Sequence, residues 1–577
     1  GSLSVTGLDG KFSIKVIPGS KLIVEAKGFE SHLLTQDDVL NMTKIAIKRI
    51  SFKYGEDEKV DMAFRQSYEG DVVGFVSKLN AKTVSDVDHT IWASDVLNGR
   101  TLGLLGSNTV RGIGIGVSVA ELTGSGLNSG NALFIVDGLP RDISGLRLSE
   151  IEDITVLKDV NSAILYGSAA VNGVVLITTR RGQAYKKTAD FKLNYGISTP
   201  RELPVYLNSA DYMTWFNKAR VNDGLAPLYS DATIESYRTG NKYRYPSVDY
   251  YSDEYLRSYK EFFDLTGEFS GGNDVAEYYA NMGWNSSGSL LDFGQGKNAR
   301  NNLFNVRANV DLRINSWIKT SVDGSSIFGN NKSQRGSFWS QAASLRPFEF
   351  TPLLPFDLIN PENSLFKARK NDVDGKYLLG GNTNYITNSI ADCIAGGVVE
   401  NIYRKFSFNN RVDFDLDKIT EGLSFHTNIS FDYYTAYTQT VANQYSVYEP
   451  VWSATADSII DLKQSGTDAR PGTQVVGGTT FQRRNGFYGL LSYDRIFDGI
   501  HQVTGSLVGF GSNYKEQGDF QKVKQAHLGL QLGYIYNKKY MADFSAAYVN
   551  SIKLPEGNKL GFSPSLGLSW VISGEDF

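Results

Sequence analysis

Eleven consecutive residues, FNVRANVDLRI at 304–314, alternate without a miss. Phe304, Val306, Ala308, Val310, Leu312 and Ile314 fall on one face, and Asn305, Arg307, Asn309, Asp311 and Arg313 on the other. A period of two is the period of a β-strand, so this segment forms a strand with one apolar and one charged face. The pattern recurs at 406–416 and 423–433, and less strictly at 191–197, 278–284, 487–493, 528–536 and 562–572. A soluble sandwich also alternates, but strands of globular proteins average about five or six residues. These runs are about ten residues long, the length a tilted strand needs to cross the hydrocarbon layer. Polar stretches at 330–400 and 435–485 read as long loops, giving the long-loop, short-turn asymmetry of outer-membrane barrels. Trp284, Trp317, Tyr433 and Trp570 near strand ends suit interfacial girdles. The expected class is mainly β, a transmembrane antiparallel β-barrel.

Composition agrees, since 58 glycines, 14 prolines and 12% aromatics among 577 residues favour strands and tight turns. A net charge of −4 supplies no basic field for nucleic acid. The one cysteine, Cys393, excludes a disulfide framework and a cysteine metal cluster, and reads as a packed small hydrophobe. No run of eighteen apolar residues codes for a membrane helix, and the opening at Gly1 lacks a signal-peptide pattern. The five histidines, His32, His89, His426, His501 and His527, are isolated in sequence. RGIGIG at 111–116 lacks the Lys-Ser/Thr of a phosphate loop, and Asp372-Val373-Asp374-Gly375 lacks the remaining ligands of a calcium loop. No catalytic residues, metal or cofactor are therefore expected. A barrel protease or lipase would need a Ser/His/acid or paired-acid cluster, and a soluble glycan-binding β protein is the other alternative. The tyrosine-rich run 237–256 is open to two readings, stacking on a solute or forming wall and interface.

The first 183 residues have a different texture. Residues 1–48 read as a small β module, with a hairpin signal at Asp9-Gly10 and the strand LIVEA after Pro18-Gly19. Residues 49–67 mix charge with isolated apolars and read as a linker; 68–183 return to short strands with glycine turns; 184–577 hold the long alternating strands.

NALFIVDGLP at 131–140, followed by EIEDITVLKDVNSAILYGSAAVNGVVLITTRRG at 150–182, resembles the plug signature of the SusC/RagA family of TonB-dependent outer-membrane transporters. VRGIGI at 110–115 resembles that family's Arg-Gly plug motif, placing its residues at Arg111, Gly112, Asp137, Gly138, Tyr166, Gly167, Asn172 and Gly173. TGLDGKFSIKV resembles the end of the carboxypeptidase-regulatory-like module that precedes such plugs, so 1–48 reads as a truncated copy of it. KVDMAFRQ at 59–66 occupies the place of the TonB-contacting box, with Val60, Asp61, Met62, Ala63 and Phe64 as the contacts. The resemblance implies a plug at 68–183 inside a barrel, and import of a bulky glycan or oligopeptide across the outer membrane of a Bacteroidetes-like Gram-negative cell. It implies as partners TonB, a SusD-like surface lipoprotein lid and the outer-membrane lipid. In the plug loop 124–131, Asn128, Ser129 and Asn131 are expected to contact solute, because a flexible polar loop suits a surface that faces one.

Residues 184–577 hold about ten to twelve strands, whereas plugged transporters close with about 22. An open sheet edge in lipid leaves backbone groups unpaired at several kcal/mol apiece. The sequence is accordingly expected to form about half of a barrel, as a fragment, with Phe191–Ile197 and the strand at 562–572 far apart on either side of a seam.

Overall fold

The computed structural model describes residues 22–24, 32–34, 59–85, 91–97, 100–102, 104–105, 109–110, 132–520, 522–551 and 555–575. The chain divides into two compact units, Gly1–Val60 with Gln66–Val72, and Asp61–Arg65 with Val73–Phe577. In the first, Leu22–Val24 pairs antiparallel with His32–Leu34. Most of the 1–48 module lies outside the described residues. So do Arg111, Gly112 and the 124–131 loop with Asn128, Ser129 and Asn131.

The second unit contains two sheets of opposite character. The smaller has five strands: β1 (Val76–Asn80), β2 (Leu133–Val136), β3 (Leu139–Pro140), β4 (Ile151–Leu157) and β5 (Val174–Thr179), in the order β1-β4-β5-β2-β3. β5 runs antiparallel to β4 and parallel to β2. Its sequence VVLITT is almost continuously apolar because both faces are covered, as a central strand requires. A short helix, Val160–Ala163, starts after β4 where the Asp159 carboxylate accepts from the Ser162 amide. The chain then kinks at Gly167, φ 68°, before returning into β5.

The larger sheet is a twelve-stranded meander in which every strand pairs with its sequence neighbours. Its strands are β6 (Thr188–Ser198), β7 (Lys260–Gly272), β8 (Ala276–Ser287), β9 (Arg300–Arg313), β10 (Ile318–Gln334) and β11 (Gly397–Asp415). They continue as β12 (Leu423–Trp452), β13 (Ile459–Phe497), β14 (His501–Glu516), β15 (Val523–Tyr536), β16 (Tyr540–Ser551) and β17 (Leu560–Trp570). All pairs are antiparallel, so connections alternate between two rims. On one rim they are tight, as at 273–275, 314–317, 498–500 and 537–539; on the other lie 199–259 and 335–396. β6 and β17 are the two edges and do not pair with each other, so the sheet is an open arc and not a small closed barrel.

Burial in this wall is inverted relative to a water-soluble sheet. Phe304, Phe328, Phe431, Phe487, Leu507, Leu528 and Leu532 are exposed, while Asp264, Asn281, Asn305, Arg307, Asn409, Asn428 and Gln531 are buried. The apolar face of the alternating segments thus points outward, as in a wall whose solvent is lipid. Leu507→Arg, at mid-strand on that face, is expected to destabilise the wall by about 2–4 kcal/mol. Equilibrium unfolding from lipid vesicles measures this; an unchanged midpoint contradicts a lipid-facing Leu507.

One loop expectation is corrected and the other is refined. Most of 435–485 is strand: β12 and β13 run for 30 and 39 residues as one hairpin that rises well beyond a span of about ten residues. Its polar composition reflects strand with water on both faces, which carries no apolar alternation. The stretch 330–400 lies mostly in the long connection 335–396, as expected, but that connection is not without apolar packing. It contains α3 (Ser389–Ala395), and with 199–259, which holds α1 (Ser209–Asn222) and α2 (Asp231–Thr239), it builds small apolar cores. One core gathers Tyr250, Tyr255, Leu256, Phe338, Ile390 and Cys393; Tyr237 packs on another around Ala210, Met213 and Ile234. The tyrosine-rich run therefore mostly builds the loop layer. Cys393 is fully buried, and burial pushes its thiol up to about 12, which keeps it protonated and inert.

Candidate functional site

The five-stranded domain sits on the inner face of the wall, and the contact is both steric and ionic. Wall glycines receive its side chains: a Cβ at Gly283 would lie 2.6 Å from Arg147 Nε, one at Gly486 2.8 Å from Leu139, and one at Gly529 2.9 Å from Leu165. Glycine at these inward positions leaves hollows in the pleated surface that any larger residue would fill.

Charged groups then fix the seat. The Arg147 guanidinium, essentially without solvent exposure, donates to both Asp264 oxygens at 2.5 and 2.7 Å and to Thr266 Oγ1 at 2.7 Å. Glu150 accepts from Arg307 Nε at 2.8 Å and from Asn305 at 2.5 Å. Arg180 reaches Glu268 at 3.1 Å, and Arg181 bridges Asp311 and Asp323, each at 2.8 Å. Such pairs make a modest net contribution when complete, because desolvation offsets Coulomb attraction, but removing one partner strands a buried charge.

Of the residues singled out by the motif resemblance, Arg111 and Gly112 lie outside the described residues, and Asp137, Gly138, Tyr166, Gly167, Asn172 and Gly173 fall at turns and contacts of this seat. Asp137 (φ 51°) and Gly138 (φ 87°) form the turn between β2 and β3, and the Asp137 carboxylate accepts from the Thr179 amide at 3.0 Å. A Cβ at Gly138 would lie 2.9 Å from the Tyr488 hydroxyl of the wall, and one at Gly167 3.0 Å from His527 Nδ1. His527 Nε2 in turn donates to the Leu165 carbonyl at 2.8 Å. Gly173 (φ 87°) turns the chain into β5 beside Asn172. Tyr166 is buried, and burial, reinforced by Tyr488, pushes its phenol far above its ordinary range.

The segment 60–64 is not a free extended strand. Val60, Met62 and Ala63 are buried, and Thr178 donates to the Asp61 carboxylate. Phe64 adopts φ 60°, an uncommon conformation for a bulky residue, and sets its ring against Tyr166 at 4.7 Å and Tyr488 at 5.1 Å. Arg65 pairs with Asp543 of β16 at 3.0 Å. Asp61–Arg65 thus touches both the inner domain and the wall.

Toward the long-loop rim a cavity of about 400 Å³ opens between residues 141–145 and strands β10–β14. Arg141 holds Asp432 at 2.9 Å and Asn409 at 2.8 Å; Lys405 donates to the Asp142 carbonyl at 2.7 Å and its carboxylate at 3.1 Å; Arg484 donates to the Pro140 carbonyl at 2.8 Å. Tyr403, Tyr434 and Tyr514 supply aromatic surface. Burial raises the Asp142 carboxyl, but Lys405 and the Ser144 donors outweigh it and hold the group below the usual carboxylate range. A lowered carboxylate contributes above its ordinary value and is lost only as pH falls through the lower one, so this contact persists across neutral and mildly acidic pH. Among the described residues no group of three His, Cys, Asp or Glu could hold a metal ion.

A compact domain seated by ion pairs against the inner face of a β wall whose outer face is apolar is the arrangement of a plug against a membrane barrel wall. Residues 74–174 match the TonB-dependent receptor plug domain family. The chain is 23% identical over its whole length to TonB-dependent receptor P3 of Formosa agariphila, covering 54% of that protein. It is 22% identical to TonB-dependent receptor SusC of Bacteroides thetaiotaomicron, covering 56%. Among solved structures it resembles the RagAB peptide importer in the 'open-open' state, with a TM-score of 0.60 at 16% identity over 89% of this chain and 58% of that one. The chain spans about half the length of the curated relatives it matches. Residues 74–174 thus match the plug domain of TonB-dependent receptors, and over its whole length the chain is similar to TonB-dependent receptors that include SusC, with the fold of the RagAB importer.

Sequence reasoning missed Arg141, Arg147 and Glu150, which carry much of the seat. Their signal is weak: isolated charges in a domain of short strands. The partners were more accessible, since Asp264, Arg307 and Asp432 lie at inward positions of alternating strands.

Proposed function

We propose that the protein imports a bulky solute, a glycan or an oligopeptide, across the outer membrane of a Gram-negative cell of the Bacteroidetes type. The solute enters from the long-loop rim, meets the tyrosine-lined cavity above the plug, and passes inward when the plug rearranges. Asn128, Ser129 and Asn131 remain candidate contacts alongside Arg141, Tyr403 and Tyr434. The observation that carries this reading is the seat itself: the plug meets the wall largely through polar and charged pairs, and such contacts, unlike a continuous apolar core, exchange readily for water. Energy arrives from TonB at Val60–Phe64, which must first leave its contacts with Thr178, Tyr166 and Tyr488. A SusD-like lipoprotein closes the outer side, by analogy with the paired importer the fold resembles, and that importer's peptide cargo makes oligopeptides the first solutes to try.

Met62→Pro tests the coupling step, because a backbone donor is lost from a segment read as adding a strand to TonB. Energised uptake is expected to fall to background while solute binding to purified protein stays within about twofold, a change under ~0.5 kcal/mol. Full uptake in this variant places the coupling segment elsewhere.

A further inference from the structure

On the outward face of the wall, the lipid-facing side chains of β12–β15 are interrupted by glycine. Gly489 of β13 lies directly opposite Gly509 of β14, and Gly511 lies opposite Phe487. A Cβ at Gly511 would meet nothing within 4 Å. Over Gly511 lies a groove of about 720 Å³, bordered by Ile429, Phe431 and Phe487 on one side and by Ala526 and Asn550 on the other, while Gly489 and Gly509 lie beside it under Phe425 and Leu528. Toward the long-loop rim the groove turns polar. Asn485 sits opposite Asn513, and Asn513 opposite Lys524. The Asn485 amide oxygen is buried without a hydrogen-bond partner.

Two residues further along the same face, Arg483 lies directly opposite Lys515. Like charges in directly opposed positions of a sheet destabilise it, and Lys524 adds a third positive charge on the diagonal. Among the described residues none of the three has a carboxylate within ion-pair distance, whereas Arg484, on the inner face, is satisfied by the plug. A repulsive basic triad at the headgroup level of a lipid-facing groove calls for an anion that arrives with an apolar tail.

We propose that this groove is a binding site for a lipid of the outer leaflet whose phosphate gives it a net negative charge. One acyl chain lies over Gly511 between Phe431, Phe487 and Ala526, the phosphate sits among Arg483, Lys515 and Lys524, and a headgroup hydroxyl donates to Asn485. The proposal rests on the membrane reading of the wall. It goes beyond the transport reading, because the site faces away from the plug and cavity.

Native mass spectrometry of the detergent-extracted protein, with phosphatidylglycerol or phosphatidylcholine of matched chains added, tests it. The unsubstituted protein is expected to retain phosphatidylglycerol with a preference of about tenfold or more, because that lipid's net negative charge meets the basic triad and zwitterionic phosphatidylcholine carries none. Arg483→Ser/Lys515→Ser/Lys524→Ser is expected to erase the preference while leaving retention of phosphatidylcholine unchanged. Gly511→Leu, which fills open space without a clash, is expected to reduce retention of both lipids. An undiminished preference in the triple variant, or undiminished retention of both lipids in Gly511→Leu, would overturn the site. Recovery of the unsubstituted protein in water without detergent would instead overturn the membrane reading.

Discussion

Replacing Arg147 by methionine is expected to weaken the seating of the plug by about 3–5 kcal/mol, the cost of leaving a buried carboxylate without its partner. The geometry makes Asp264 that carboxylate: it is 2% exposed, and apart from the guanidinium it has only the Thr266 hydroxyl, at 3.4 Å. Wall relaxation cannot easily rehydrate it, since Asn305 and the backbone at Gly283 close the space around Arg147. The double variant Arg147→Met/Asp264→Asn removes both charges and is expected to recover most of the loss, because a complete pair is close to neutral against an uncharged one. Hydrogen exchange of the β4 and β5 amides reads the seating directly, with faster exchange in the single variant than in the double. Equal protection in the two would remove the pair from the account.

How much of this was legible in the sequence depends on which solvent each residue faces. The alternation at Phe304–Ile314 announced a strand with two unlike faces, and β9 spans Arg300–Arg313. Its apolar side chains had to go to lipid because a wall this long has no second sheet to cover them. The expected open seam between Phe191–Ile197 and 562–572 is present, with β6 and β17 as unpaired edges of a sheet of twelve strands. By contrast, 435–485 was read as loop because strand segments bathed in water on both faces lose the hydrophobic period that identifies them. The tyrosines of 237–256 were left open between ligand and scaffold. Tyr250 and Tyr255 pack into a core with Phe338 and Cys393 that joins segments nearly 140 residues apart in sequence, a separation no local pattern encodes.

The site was legible to a similar degree and for similar reasons. Asp137-Gly138 and Gly173 announce themselves, because left-handed turns select Asn, Asp and Gly. Arg147 and Glu150 carry no such mark, since their importance lies wholly in meeting Asp264 and Arg307 across the interface. Residues 60–64 suit an extended, TonB-contacting segment that adds a strand to its partner. Their burial and the ring of Phe64 between Tyr166 and Tyr488 give the segment a second state, docked against the plug and wall.

If solute passes only when the plug moves against the wall, a reversible covalent pin between the two stops import. Gly529 of β15 is well placed, since a Cβ there would lie 3.6 Å from Leu165 Cα, within the reach of disulfide geometry. Cys393 is the sole native cysteine and is fully buried, so Leu165→Cys/Gly529→Cys forms one defined bridge. Uptake of labelled solute by energised cells, measured before and after reductant, is the decisive quantity. The account predicts that the oxidised protein binds solute but does not import it, and that reduction restores import; full-rate import with the bridge quantitatively formed would contradict it.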